Sequence, residues 1–266
     1  MTYETLVYER RGAVAHITLN RPEVLNGLNG AMFSDLNAVF DAVAADVQVR
    51  AVLLTGAGRA FCSGADLSAP RDAPEGGTIG DGVAQNMHAV INPLILRITT
   101  LGKPVVAAVN GVTAGGGVGL ALACDIVIAA KSASFIQVFG PKLGIVPDMG
   151  CTWFLPRLVG RARATGLALL GDRLPAEKAA EWGLIWAAVE DSALLAEATA
   201  IAERLAAGPT RGFGLIKKAL DASQGNDLGQ QLGVEAESQR IAFGTQDTIE
   251  GITAFLQKRA ANFTGA

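Results

Sequence analysis

The chain has no excess of basic charge. Its 22 Lys and Arg stand against 25 Asp and Glu over 266 residues, a net charge of −3. Proteins held to phosphate backbones or anionic lipid draw on clustered positive charge. Neither nucleic acid nor a membrane is therefore an expected partner, and any anion site must be local. Cysteine is scarce: Cys62, Cys124 and Cys151 are too scattered for a disulfide framework, and no CxxC spacing suggests a zinc site. They read as free thiols buried in a reducing compartment, and no metal is expected. No uncharged apolar run reaches the roughly 20 residues of a membrane span. Residues 1–12 carry no apolar signal core, so the cytoplasm is the expected location.

What is present is ordinary globular composition, 50% hydrophobic and 18% charged. The length suits one sizeable core, or a domain with a small appendage. Residues 14–19 alternate as a strand does, and residues 29–45 place Met32, Leu36, Val39, Phe40 and Val43 at helical spacing. Segments 50–55, 103–110 and 125–130 read as buried strands, each followed by glycine or small polar residues. Strands alternating with helices predict βα units in parallel pairing. Residues 68–82, with Pro70, Pro74, Gly76, Gly77, Gly80 and Gly82, predict a mobile loop of the sort that covers sites. From about Ser192 the chain reads as helical to the end, with breaks near Gly208-Pro209 and Gly225-Asn226.

Two glycine-bearing segments follow predicted strands. They are Gly56-Ala57-Gly58 through Phe61-Cys62-Ser63-Gly64-Ala65-Asp66-Leu67, and Asn110-Gly111 through Gly115-Gly116-Gly117-Val118-Gly119. The second fails as a dinucleotide fingerprint, because Leu120 or Leu122 stands where the last glycine is needed. A P-loop fails because Lys103 is followed by Pro104. A pair of backbone N–H donors remains, one at a helix start at Gly116 and one from the Gly64-Ala65 turn; aimed at one oxygen they form an oxyanion hole. Tight helix–strand packing would require the same glycines, and the pattern does not choose between them.

Asp148, in Gly144-Ile145-Val146-Pro147-Asp148-Met149-Gly150, is a carboxylate among apolar neighbours, which suits it to move protons. An N-cap for the helix predicted through residues 152–155 is the other reading. His16 lies in a strand pattern and reads as structural, while His88 follows the glycine-rich loop and could border a pocket. Ser63 has no GxSxG elbow around it. Trp153, Trp182 and Trp186 read as core or interface.

These segments together resemble the enoyl-CoA hydratase/isomerase (crotonase) superfamily over nearly the whole chain. The resemblance is carried by Ile17-Thr18-Leu19-Asn20-Arg21-Pro22-Glu23 to Asn26, by the two glycine segments, by Asp125-Ile126-Val127-Ile128-Ala129 and by Ala254-Phe255-Leu256-Gln257-Lys258-Arg259. It implies an α/β fold: a spiral of ββα units over residues 1–191, then a C-terminal helical trimerisation region over residues 192–266, in trimers that pair into hexamers. It implies an acyl-CoA thioester as substrate, with coenzyme A part of that substrate and no cofactor held permanently. The thioester oxygen would lie between N–H donors at Ala65 and Gly116. Coenzyme A would touch Val24, Ser63, Ala65, Asp66 and Leu67, with Phe255 and Lys258 of a neighbouring subunit completing its site.

The departures from the family pattern are informative. The hydratases use two glutamates. The first would fall at Gly119 and the second near Val138 or Phe139, in a stretch that reads as one residue longer than usual. Asp148 matches instead the aspartate of several isomerases. The likeness is strongest to the ring isomerases of aerobic phenylacetate breakdown, through Pro147-Asp148, residues 166–171, residues 181–186 and residues 213–217. The expected activity is an isomerase that shifts a double bond, or opens or expands a ring epoxide, through a thioester enolate with Asp148 as its acid–base. A hydratase with unconventional residues and a silent acyl-CoA-binding protein are the alternatives. An aryl-CoA dehalogenase lacks its tryptophan shortly before Asp148, and His88 does not stand where that chemistry places its histidine. RNA binding is opposed by the acidic balance.

Overall fold

Strands buried on both faces read as continuous apolar runs, and the chain carries several. In the computed structural model, which describes residues 2–68 and 73–266, these runs form the centre of the molecule. In chain order the elements are β1 (Leu6–Arg11), β2 (Val14–Leu19), α1 (Gly30–Ala45), β3 (Ala51–Gly56), β4 (Ala60–Cys62), α2 (Ile79–Asn86), α3 (Asn92–Thr100), β5 (Val105–Val109), β6 (Val112–Ala114) and α4 (Gly116–Leu122). They continue with β7 (Ile126–Ala130), β8 (Ser134–Ile136), α5 (Cys151–Leu170), β9 (Leu174–Pro175), α6 (Ala176–Glu181), β10 (Ala187–Val189), α7 (Leu194–Ala206), α8 (Thr210–Ser223), α9 (Leu228–Ala242) and α10 (Gln246–Gln257).

A six-stranded sheet has the order β1-β2-β3-β5-β7-β10, and a four-stranded sheet the order β4-β6-β8-β9. In the large sheet only β1 is antiparallel to its neighbour; in the small one β4, β6 and β8 run parallel. The chain thus repeats one operation: a strand into the large sheet, a short strand into the small sheet, then helix. This is the expected α/β spiral of ββα units. Helix α7 belongs with the large sheet although the sequence turns helical just before it. Its buried stripe of Leu194, Ala198, Ala202 and Ala206 packs on β3, β5 and β7, and small side chains at four-residue spacing let the helix lie close. Helix α8 is tied down by Lys217 Nζ, 2.8 Å from Asp125 Oδ2. Arg50 donates to Thr210 Oγ1 and to the carbonyls of Gly208 and Phe263. No helix among the described residues is long and apolar enough to cross a membrane.

The loop expected over residues 68–82 is shorter than the sequence reading. Helix α2 begins at Ile79, so Gly80 and Gly82 lie inside it. The reason is a capping box: Asp81 N donates to Thr78 Oγ1 and Thr78 N donates to Asp81 Oδ2. Pro70 lies outside the described residues.

Two asparagines fix the entry to β4. Asn26, fully buried and left-handed at φ +55°, donates from Nδ2 to the carbonyls of Ala57 at 3.0 Å and Ala60 at 2.9 Å. Its Oδ1 accepts from Arg21 N at 2.9 Å. Asn110 Nδ2 donates to Gly58 O and to the same Ala60 O. Asn26→Ala strands these buried groups and puts alanine, which tolerates left-handed backbone less readily than asparagine, at φ +55°. It should lower stability by roughly 3–5 kcal/mol in urea titration; a loss below about 1 kcal/mol would mean that the turn holds itself.

Candidate active site

The parallel strands of the small sheet end at one edge, where the chain leaves β4 at Ser63, β6 at Gly115 and β8 at Gln137. After β4, Leu28 N donates to Gly64 O at 2.8 Å and Asp66 N to Leu28 O at 2.9 Å. This parallel bridge uses the groups flanking Ala65 and leaves the N–H of Ala65 directed to the opposite side. Gly64 has φ +89°, and a β-carbon on it would stand 2.7 Å from Ala114 O and 3.2 Å from Gly116 N. The two segments therefore touch. Gly116 opens α4, so its N–H has no acceptor within the helix. Helix α4 has seven residues, so what it contributes is the N–H groups rather than a long dipole. Ala65 and Gly116 offer adjoining donors, an arrangement able to hold one developing oxyanion.

The Asp148 turn closes against the same glycine. Met149 (φ +50°) and Gly150 (φ +79°) are left-handed in succession and reverse the chain before α5. A β-carbon on Gly116 would lie 3.6 Å from Asp148 Oδ1 and 2.6 Å from Met149 Sδ. The N-cap reading of Asp148 is overturned, because Gly150 occupies the cap position and no side chain caps the helix. Asp148 Oδ1 is buried and has no hydrogen-bond partner. Burial pushes the Asp148 carboxyl above its ordinary value, opposed only by a backbone hydrogen bond. Such a carboxyl is held ready to exchange a proton.

The positions at which the resemblance puts the hydratase glutamates are closed or apolar. A β-carbon on Gly119 would meet Met149 O at 2.3 Å, so a longer side chain has no room without moving that backbone. Val138 and Phe139 bring carbon atoms to 3.3 and 3.6 Å from where a Gly115 β-carbon would be. The stretch expected to be one residue longer than usual contains a π-helical turn, Phe139–Leu143, the form in which a helix takes up one extra residue.

The expected coenzyme A residues Val24, Ser63, Asp66 and Leu67 fall in one neighbourhood. Ser63 Oγ donates to Val24 O at 3.3 Å. Asp66 is paired with Arg21 at 3.0 Å, and the Ser68 hydroxyl and Arg21 hold its carboxyl below the usual range. Leu67 is exposed beside it. Phe255, 82% exposed, and Lys258 lie at the end of α10. Among the described residues neither makes a hydrogen bond or ion pair with Val24, Ser63 or Asp66.

Of the other candidates, His88 is exposed in a π-helical turn, Met87–Ile91. His16 is buried in β2, and burial lowers its pKa. The three cysteines are buried and free, and burial pushes Cys62 and Cys151 up to about 12. Lys103 caps the end of α1, its Nζ 2.8 Å from Asp46 O. Trp182 packs on the core, while Trp153 and Trp186 are exposed. Among the described residues no group of three or more His, Cys, Asp and Glu could hold a metal ion. Two residues were not singled out from sequence: Met149, at the Gly116 surface, and Gln137, buried where β8 ends. Nothing in their local pattern marks them.

The sequence model of the enoyl-CoA hydratase/isomerase family matches residues 9–266. The chain is 49% identical over 252 residues to 1,2-epoxyphenylacetyl-CoA isomerase of Escherichia coli (strain K12), covering 95% of each. It is 46% identical to a probable enoyl-CoA hydratase of Rhodobacter capsulatus over the full length of both. The solved enoyl-CoA hydratase of Bacillus anthracis superposes with a TM-score of 0.90 at 34% identity, covering 99% of this chain and 100% of that one.

The glycines of α4 separate site from scaffold. Gly116→Ala displaces only the flexible end of Met149, so the variant should unfold within a few degrees of wild type. Its added methyl crowds the N–H and the carboxyl, and kcat/KM should fall roughly a hundredfold. A β-carbon on Gly117 would stand 2.3 Å from Cys62 O. Gly117→Ala should therefore lose about 3 kcal/mol or more in denaturant titration. Equal effects of the two substitutions on stability would contradict this division.

Proposed function

From the premise that the chain belongs to the enoyl-CoA hydratase/isomerase family, we propose that it is an acyl-CoA isomerase with Asp148 as its one acid–base. One observation carries the reading: the half-buried carboxyl beside Gly116, one oxygen of which has no partner, with its pKa raised by burial. Ionised Asp148 takes a proton from the carbon next to the thioester carbonyl. The electron pair left behind moves onto the thioester oxygen, where the N–H groups of Ala65 and Gly116 hold the enolate. The same carboxyl, now protonated, returns the proton at a carbon farther along the conjugated system, and the pair flows back. Water takes no part, and atoms and charge balance.

The coenzyme A moiety, arriving with the substrate, lies in this reading along Val24, Ser63, Ala65, Asp66 and Leu67. Phe255 and Lys258 reach it from a neighbouring subunit. No resident cofactor is required. The phenylacetate-derived epoxide named for the Escherichia coli relative is the first substrate to try. Hydration is the second reading, favoured by the Rhodobacter capsulatus relative's name. It is opposed by the closed position at Gly119 and the apolar Val138 and Phe139.

Asp148→Asn should lower turnover roughly a hundredfold or more, with binding of the thioester retained. Burial favours the neutral carboxyl in the folded protein relative to the unfolded chain. Ionisation therefore costs stability as pH rises past the ordinary carboxylate value and then the raised one. The Asn variant escapes that cost, and its Tm near neutral pH should equal or exceed that of wild type. In wild type, kcat/KM should rise with pH along a limb lying above the ordinary aspartate range. A limb at the ordinary value, or near-normal isomerisation by the Asn variant, removes Asp148 from the mechanism.

In this reading the chain also assembles, through apolar side chains left exposed on α8, α9 and α10. They include Ile216, Leu220, Leu232 and Phe255, with Leu228 at 75% exposure. Monomers rarely expose so much apolar surface on one region. Light scattering at micromolar concentration should give the mass of a trimer or hexamer, and a monomer would refute it.

A further inference from the structure

A left-handed residue that is neither glycine nor asparagine asks for a reason. Among the described residues, four have positive φ without being glycine: Leu25, Asn26, Met149 and Lys258. Leu25 and Lys258 stand at helix C-caps, where one left-handed residue commonly ends a helix, and Asn26 is of a type that tolerates the conformation. Neither circumstance applies to Met149, at φ +50°. It opens the reversal in which Cys151 N donates to Asp148 O at 3.0 Å across two left-handed residues, Met149 and Gly150, as in a type I′ turn. Such turns favour asparagine, aspartate or glycine at the first inner position. A methionine there strains the backbone, and the strain persists only where the surroundings fix it.

What fixes it is the side chain. Met149 is buried, and its thioether lies against the first turn of α4. A β-carbon on Gly116 would stand 2.6 Å from Met149 Sδ, and the same point is 3.6 Å from Asp148 Oδ1. The sulfur and the carboxyl oxygen therefore flank one spot beside the Gly116 donor. Further along α4, a β-carbon on Gly119 would meet Met149 O at 2.3 Å and Met149 Cβ at 2.7 Å. Met149 is thus gripped by the helix at its backbone and at its sulfur. Beside it, Asp148 Oδ1 has no hydrogen-bond partner, although the residue as a whole is only half-buried. An unpaired oxygen takes up a water wherever there is room for one. The thioether is a flexible, apolar chain that fills irregular gaps and offers water no strong bond.

Resting on the isomerase reading, we infer that Met149 is a positioning residue for Asp148: its thioether wedges the turn against α4, holding the carboxyl at the Gly116 donor and keeping water from Oδ1. The left-handed strain accompanies a buried apolar chain placed where turn chemistry calls for asparagine or glycine. The arrangement suits isomerisation, in which one carboxyl takes a proton from one carbon and returns it to another while no water is consumed. Burial already raises this carboxyl above its ordinary value, and a water on Oδ1 would draw it back down.

The test sets Met149→Gly and Met149→Leu beside wild type. Glycine relieves the left-handed strain and removes the wedge. Leucine keeps an apolar chain of similar volume, and Leu25 already holds leucine at φ +55° in this chain. Turnover is followed against pH on whichever of 1,2-epoxyphenylacetyl-CoA and 3-hexenoyl-CoA the wild type isomerises. Met149→Gly should lose roughly ten- to hundredfold in kcat with KM within about threefold, because the N–H pair still holds the thioester. Its kcat/KM limb should move down by about one pH unit, toward the ordinary aspartate range, as water reaches Oδ1. Met149→Leu should recover kcat to within about fivefold of wild type and leave the limb in place. A raised wild-type limb that Met149→Gly does not move, equal losses in the two variants, or a glycine variant that fails to fold would make Met149 a packing residue and overturn the inference alone. A wild-type limb at the ordinary aspartate value, or no isomerisation of either thioester, removes the isomerase reading and this inference with it.

Discussion

The contact on which the site depends is backbone against backbone along the first turn of α4. The β-carbon that Gly117 lacks would stand 2.3 Å from Cys62 O, and that of Gly119 would stand 2.3 Å from Met149 O. One face of a single helical turn therefore touches the end of β4, and another touches the turn that carries Asp148. A methyl group at either position would push these segments apart by more than the close packing of a core absorbs. Gly116 lies between the two contacts, which is why the donor from the β4 exit and the carboxyl from the α5 entry both arrive beside it.

The ββα repetition explains why such different stretches of sequence meet. In parallel sheets the C-terminal strand ends lie together, and ligands are held there. Here β4, β6 and β8 deliver Ser63 to Leu67, Gly115 to Gly116 and Gln137 to Phe139 to one edge. Between the large sheet and β4, the amides of Asn26 and Asn110 both donate to Ala60 O and so fix where β4 begins.

The sequence is legible where burial imposes a period and illegible where it does not. The strands recognised from pattern, β2, β3, β5 and β7, all belong to the large sheet. The three-residue strands β4, β6 and β8 are too short to show alternation; only the resemblance to a known family pointed to a second strand per unit. The glycines of the donor loops are visible as glycines, but packing and catalysis ask for the same residue, and the contacts of Gly64 with Gly116 N and of Gly117 with Cys62 O appear only in three dimensions. Asp148 had the same ambiguity until Gly150 was found at the cap position. The loop expected to Gly82 ends at Thr78 because Thr78-Ile79-Gly80-Asp81 is a capping signature, short and polar enough to pass for loop.

Gln137 was beyond sequence reading for a different reason. Whether an amide is paired depends on every neighbour in three dimensions, and no local pattern encodes it. The distribution of unpaired polarity is nonetheless informative. Elsewhere the described residues satisfy even demanding groups: Asp247, 3% exposed, accepts from the N–H groups of Thr264 and Gly265. Asp148 Oδ1 is an exception beside Gly116, and a carboxyl oxygen without a partner there is less stable than it could be. Local cost of this kind persists where a bound molecule supplies the missing partner. The orphaned oxygen thus stands where the proposed proton transfer needs it, within one short helical turn of the paired N–H groups.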